Sequence, residues 1–202
     1  MTNLYTPLPN GVKIDGHFYA INTSFRVWLQ AEKIMSNTEL EQAEQIGLLL
    51  GLCYKNPAEC CTAAHLDELL KFYRCGHELS GDGEHAVKPA YDFEQDADYI
   101  YAAFLQVYGI DLFKMDMHWW AFRALFASLP DTCAMSRIMG YRTVDTKDMS
   151  KGQKKFYKRM QHLYALKDTN APKRKMTLKE RDQMWRDKVL TTFEKAGEQQ
   201  NG

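Results

Sequence analysis

No stretch of this chain is apolar for long enough to cross a bilayer: the longest apolar run, Ile46 to Tyr54, is about half of the roughly 18 residues a spanning helix needs. The opening MTNLYTPLPNG lacks a basic segment followed by an apolar one, so no secretion signal is read there. Cysteine is present but unsuited to a disulfide framework. The five residues, Cys53, Cys60, Cys61, Cys75 and Cys133, are odd in number and irregular in spacing. No Walker loop, Rossmann glycine pattern, G-x-S-x-G or H-E-x-x-H occurs. These gaps lead to the expectation of a soluble protein of a reducing cytoplasm, with no membrane partner, no cofactor and no enzymatic activity.

Net charge is missing too, because 26 Lys+Arg balance 26 Asp+Glu, but the balance hides an asymmetry. Met1 to Thr146 carries 11 basic against 19 acidic residues, whereas Lys147 to Ala196 carries 15 against 6. An acidic body followed by a basic end points to partner contacts or to docking of one half on the other. With 45% hydrophobic and 12% aromatic residues in a chain of 202, a sizeable core is within reach.

Asp15-Gly16 lies between the apolar-rich arms of VKIDGHFYAI, and Asp-Gly suits a two-residue type I′ turn, so a short β-hairpin is expected over about residues 10–22. It is too small to stand alone and must lean on the helices that follow. Helical signals dominate thereafter. Phe25, Trp28, Leu29 and Glu32 share helical spacing behind Thr23 or Ser24 as N-cap. Thr38-Glu39-Leu40-Glu41 matches a capping box for a helix to about Tyr54. Asn56-Pro57-Ala58-Glu59 starts another, through Leu66, Leu69, Leu70 and Tyr73, stopping at Gly76. Residues 77–90 offer no apolar period and read as a mobile loop. Further helices are expected from Asp92 to Tyr108, closed by Gly109, from His118 to Ser128, and near Cys133 to Met139. The stretch Ser150 to Leu166 is amphipathic, with Phe156, Met160, Leu163 and Tyr164 on one side and Lys and Arg on the others. Thr169 to Lys175 reads as a linker, and Thr177-x-x-Glu180 opens a last basic helix ending before Gly197.

Each candidate site has a plainer structural explanation. Asp92, Glu94, Asp96 and Asp98 are hard-oxygen ligands on paper, but carboxylates in the first turns of a helix also suit its dipole, and residues two apart do not face each other. Cys60, Cys61, His65, Cys75 and His77 invite zinc, yet no C-x₂₋₄-C pair is present, and free cysteine is most often core. His118 beside Asp116 suggests acid–base chemistry, but no nucleophile or oxyanion hole accompanies it. The adjacent Trp119 and Trp120 cannot both face one core, which marks one of them for an interface. The basic surface, Lys151, Lys154, Lys155, Lys158 and Arg159, then Lys173, Arg174 and Lys175, would suit phosphates with Tyr157 or Trp185 to stack. The chain's own acidic body makes nucleic acid the less economical partner.

From Tyr91 to Leu166 the segments YDFEQDADYIYAAFLQVYGIDL, MHWWAFRALFASLP, IMGYR and KDMSKGQKKFYKRMQHLYAL closely resemble the phage Gp-fifteen family. The N-terminal VKIDGHFYAI, INTSFRVWLQ and KFYRCG also look like it, so the resemblance covers roughly Leu8 to Leu166. It implies a protein of the tail module of long-tailed phages and prophages of Gram-positive bacteria. Genes of the family typically lie between the major tail protein and the tape-measure protein, where tail assembly chaperones are found. The implied role is to bind the tape measure and other tail proteins in the host cytoplasm and to leave before the particle is finished. The family has no established catalytic residues to carry over.

The expectation is therefore a mainly α fold with a small N-terminal β-hairpin: a helical domain over residues 1–166, then a linker and basic C-terminal helix over 167–202. Its function is expected to be that of a tail assembly chaperone, with a structural tail component retained in the virion, or a nucleic-acid-binding accessory protein, as alternatives. Partner-binding candidates are Tyr99, Tyr101, Phe104, Trp119, Trp120, Phe122, Met135 and Met139, which a core would use equally well. A homo-oligomer stays open.

Overall fold

The architecture comes from a computed structural model, which describes residues 4–77 and 89–167. The expected loop at 77–90 falls mostly outside the described residues, as do the linker and last helix, including Lys173, Arg174 and Lys175. The fold is mainly helical with one antiparallel hairpin: β1 (Gly11–Ile14), β2 (His17–Ala20), α1 (Phe25–Ser36), α2 (Gln42–Cys53), α3 (Ala63–Tyr73), α4 (Ala97–Tyr108), α5 (Trp119–Ala127), α6 (Ala134–Thr143) and α7 (Lys151–Leu163). The chain divides into two compact units. The described part of the first is residues 4–77 with Asp116–Arg123, and that of the second is residues 89–115 with 124–167.

In the first unit the hairpin turns where the sequence asks it to. Asp15 and Gly16 both take positive φ (50° and 84°), as a type I′ turn requires, and Ile14 pairs with His17 across it. The hairpin leans on α2 and α3. Ile21 bridges Tyr54, the Asn22 amide donates to the Cys53 carbonyl at 2.7 Å, and the Tyr19 ring meets His65 edge-on at 4.5 Å. Ser24 caps α1 by accepting from the Arg26 amide.

Two expected helix starts are corrected. Thr38 does not cap α2. The Asn37 side chain instead accepts from the Glu39 amide at 2.9 Å, and the buried Gln45 side chain donates back to the Asn37 carbonyl. This turn absorbs residues 37–41, so α2 begins only at Gln42, with no side-chain cap. Pro57 starts a single 3-10 turn, Pro57–Glu59, rather than a long helix. Burial of Cys60, whose thiol donates to the Asn56 carbonyl at 3.4 Å, redirects the chain before α3 can begin. Cys60 and Cys61 thus precede the helix they were expected to lie on.

The second unit is organised by a buried ion pair. Arg142 on α6 grips Asp96 with two bonds, 2.6 and 2.8 Å, and its side chain also donates to the carbonyls of Ala90 (3.0 Å) and Tyr164 (2.6 Å). One guanidinium therefore holds the start of α4, the segment before it and the end of α7. The acidic run at Asp92 is a turn, not the first turn of α4. Asp92 accepts from the amides of Glu94 and Gln95 at 3.0 and 2.9 Å, which leaves Asp96 directed inward and α4 starting at Ala97. α4 ends as expected at Gly109, whose φ of 67° is a left-handed cap that L side chains rarely adopt. α6 runs on to Thr143, longer than expected, and α7 opens on a full capping box of Ser150 and Gln153.

Breaking a buried pair leaves an uncompensated charge and is strongly destabilising. Arg142→Met is expected to lose about 3–5 kcal/mol in urea unfolding; a loss below about 1 kcal/mol would show that water or rearrangement satisfies Asp96.

Histidine gives the first unit a pH dependence. The His118 ring accepts from the Trp120 amide through Nδ1 at 3.0 Å and meets the Pro9 carbonyl through Nε2 at 2.9 Å, so it is neutral and carries its proton on Nε2. Burial holds both His118 and His65 below the usual histidine value of 6.5. Unfolding then takes up protons, so stability is full above that value and falls as pH drops through it. Urea midpoints are expected to decline from about pH 8 to about pH 5, less steeply in His118→Gln. Equal slopes for the two proteins would contradict the assignment.

Candidate functional site

The residues proposed for partner binding divide between core and surface. In the first unit, Trp119 and Phe122 are fully buried in a run of near-parallel rings. Phe25 stacks on Phe122 at 4.9 Å, Phe122 on Trp119 at 5.9 Å, Trp119 on Trp28 at 6.1 Å and Trp28 on Phe72 at 5.0 Å. Trp120 is half-buried and tilts against Phe72 at 5.4 Å. The two tryptophans do parallel work at the end of α3. A helix leaves its last carbonyls without intrahelical partners. The Trp119 indole N–H donates to the Tyr73 carbonyl at 2.9 Å, and that of Trp120 to the Phe72 carbonyl at 2.8 Å. Trp119 faces the core while Trp120 stays partly exposed, and each reaches a different carbonyl of the same helix end.

The acid–base candidates are not brought together. Asp116 accepts from the Ser24 hydroxyl at 2.7 Å and pairs with Arg26 at 3.1 Å, while both nitrogens of His118 face backbone. Cys61 is exposed, Cys60 is buried in the turn before α3, and Cys75 is buried beyond its end. Burial pushes the Cys75 thiol up to about 11, which keeps it protonated and unreactive at neutral pH. Among the described residues no group of three His, Cys, Asp or Glu side chains is placed to hold a metal. No helix among them is long and apolar enough to cross a membrane.

In the second unit Phe104 and Met135 are fully buried, Tyr101 and Met139 are half-buried, and Tyr99 is exposed. α4 turns Ile100, Ala103 and Phe104 inward, which leaves Tyr99, Ala102 and Leu105 at three-residue intervals on its outer face. Beyond α4, Phe113 is 79% exposed and Met115 50%, and the Phe113 ring lies 4.7 Å from Tyr101. Leu105, Phe113 and Met115 were not foreseen as site residues. Their signal is in the sequence: Phe113 and Met115 stand among four large apolar residues of the helix-free segment IDLFKMD, and Leu105 lies opposite the buried face of α4.

α7 presents the other conspicuous surface. Lys151, Lys155, Lys158 and Arg159 are exposed and Lys154 is half-exposed. Its inner side meets α6: Tyr141 contacts Tyr157 at 6.2 Å and stacks on Tyr164 at 6.0 Å, and the Gln161 side chain donates to the Val144 carbonyl at 3.0 Å. Alongside this contact runs a groove of about 320 Å³ lined by residues including Arg137, Gly140, Tyr141 and Tyr157. No side chain of α7 is fully buried.

A family model described as Bacteriophage Gp15 protein matches residues 4–166, most of the chain. The chain belongs to this family. The Gp15 match reaches nearly to the end of the described residues and associates the protein with bacteriophages. Neither the curated proteins nor the solved structures contain a match to this Gp15 family member.

The division between core and surface is open to measurement. Phe104→Ala is expected to lose about 3–5 kcal/mol of stability, as a buried ring does, whereas Tyr99→Ser should stay within about 0.5 kcal/mol. Similar losses from the two in urea unfolding would place Tyr99 in the core.

Proposed function

We propose that this Gp15 family member is a non-catalytic tail assembly chaperone that binds the phage tape-measure protein in the host cytoplasm and departs before the virion is complete. The observation that carries the reading is the exposed apolar surface of the second unit in a protein of this family: Tyr99 and Leu105 on α4, with Phe113 and Met115 beyond it. A tape measure is a long amphipathic helix whose apolar side lacks cover before assembly. A holder needs exposed aromatic, Leu and Met side chains able to accept varied helical faces. The commitment of both His118 nitrogens to backbone, and of Asp116 to Ser24 and Arg26, supports a binding rather than a catalytic role.

Co-expression with the tape-measure protein tests the proposal. The expected result is a rise in that partner's soluble fraction and co-purification of the two chains, both reduced in Leu105→Ser/Phe113→Ser. No rise and no co-purification would sink it. Mass spectrometry of purified virions is expected to find no stoichiometric copy; finding one would favour a structural tail component instead.

A further inference from the structure

α7 carries an ordered pairing of apolar and basic side chains, most of which the described residues leave exposed. Phe156, Met160 and Leu163 follow at i, i+4 and i+7 and therefore form one row along the helix. The residue before each of them is Lys155, Arg159 and His162, which makes a second, polar row beside the first with two cations in it. Lys151 and Lys158 extend the cationic side. Two members of the apolar row are open to water, Phe156 at 48% and Leu163 at 63% exposed, and Met160 between them is half-buried. Phe156 touches Tyr141 edge-on at 6.1 Å and keeps about half of its surface exposed, whereas Tyr157 and Tyr164 are half-buried against Tyr141, so the outward apolar row is only one residue wide.

The charge on this helix has no local answer. No Asp or Glu occurs from Met149 to Lys167. Three other cations of the unit have carboxylates: Arg142 holds Asp96, Lys114 pairs with Asp111 at 3.1 Å and Lys147 with Asp145 at 3.4 Å. Among the described residues, none of Lys151, Lys154, Lys155, Lys158 and Arg159 is in an ion pair. Beyond Lys167 the sequence carries eight basic residues against six acidic ones, an excess of the same sign.

We infer that the outer face of α7 docks an acidic amphipathic helix of a partner protein, whose apolar seam covers Phe156, Met160 and Leu163 while its carboxylates meet Lys155, Lys158 and Arg159. The inference rests on the reading of this chain as a protein-binding protein and adds the chemistry of what it binds. A polyanion would use the cationic side but leave Leu163 wet, because a leucine offers bases no stacking face. An anionic bilayer takes up helices with a broad apolar face, and a row one residue wide is instead the width of a helix–helix seam. Opposite charge beside such a seam fixes partner and register.

The test measures binding of the full chain to a synthetic helix of about 21 residues, or six turns, with a leucine seam flanked by glutamates, at about 0.15 M salt. Its comparisons are the same composition in scrambled order, a single-stranded oligonucleotide and vesicles containing phosphatidylserine. The designed helix is expected to bind at least about tenfold more tightly than the scrambled one. Lys155→Glu/Lys158→Glu/Arg159→Glu and Phe156→Ser/Leu163→Ser should each lose about tenfold or more. The charge-reversed protein should regain binding to a helix with lysine in place of glutamate, which a misfolded variant would not. Equal binding of the scrambled peptide, tighter binding of oligonucleotide or vesicles, or no recovery on charge reversal would overturn the inference. No phage protein enters this measurement, so its failure leaves the co-expression result to stand or fall separately.

Discussion

The second unit depends on one guanidinium. Arg142 is buried, and an arginine cannot shed its charge, so everything around it must supply acceptors. Asp96 supplies two, the Ala90 and Tyr164 carbonyls supply the others, and Asp96 accepts in addition from the Asp92 amide at 2.9 Å. Gln95, next to Asp96, exchanges two bonds with Lys167, 3.1 and 2.8 Å, which fastens the chain after α7 to the same place. The consequence reaches the surface. With the beginning of α4 and the end of α7 tied to α6, the outer faces that carry Tyr99 and Leu105 on one helix and Phe156 and Leu163 on another are held on fixed supports rather than on loops.

The first unit solves a related problem with neutral groups. Its helix end at α3 is closed by two indoles, and the amide of Trp120 is received by the His118 ring. The segment Met117 to Trp120 thus satisfies backbone polar groups at its own start and at the end of another helix, while Trp119 fills the core. This density of use commits the ring nitrogens of the His-Trp-Trp segment to the unit's own backbone.

The backbone is legible in the sequence where one or two residues decide it. Asp15-Gly16 set the hairpin turn, Ser24 the start of α1 and Gly109 the end of α4. Helix starts decided by tertiary contacts are less legible. The Thr38 box lost to the Asn37–Gln45 bond, Pro57 to the burial of Cys60, and the acidic run to the demand of Arg142, which lies 46 positions away in sequence. The candidate surface shows the same limit. Phe104 and Tyr99 are both aromatic and five residues apart on α4, and only the packing partner tells core from exterior. The amphipathic pattern of α7 was visible in the sequence; that its apolar row stays open was not.

The composition of the first unit has a consequence for the order in which the protein is made. Residues 4–77 emerge from the ribosome well before Asp116–Arg123, yet Trp119 and Phe122 sit in the middle of the ring stack that those early residues surround. Domains fold as units during synthesis. The hairpin and α1 to α3 must therefore wait, with Trp28, Phe25 and Phe72 incompletely covered, while the intervening helix α4 is translated. The nascent chain is itself briefly a protein with exposed apolar surface.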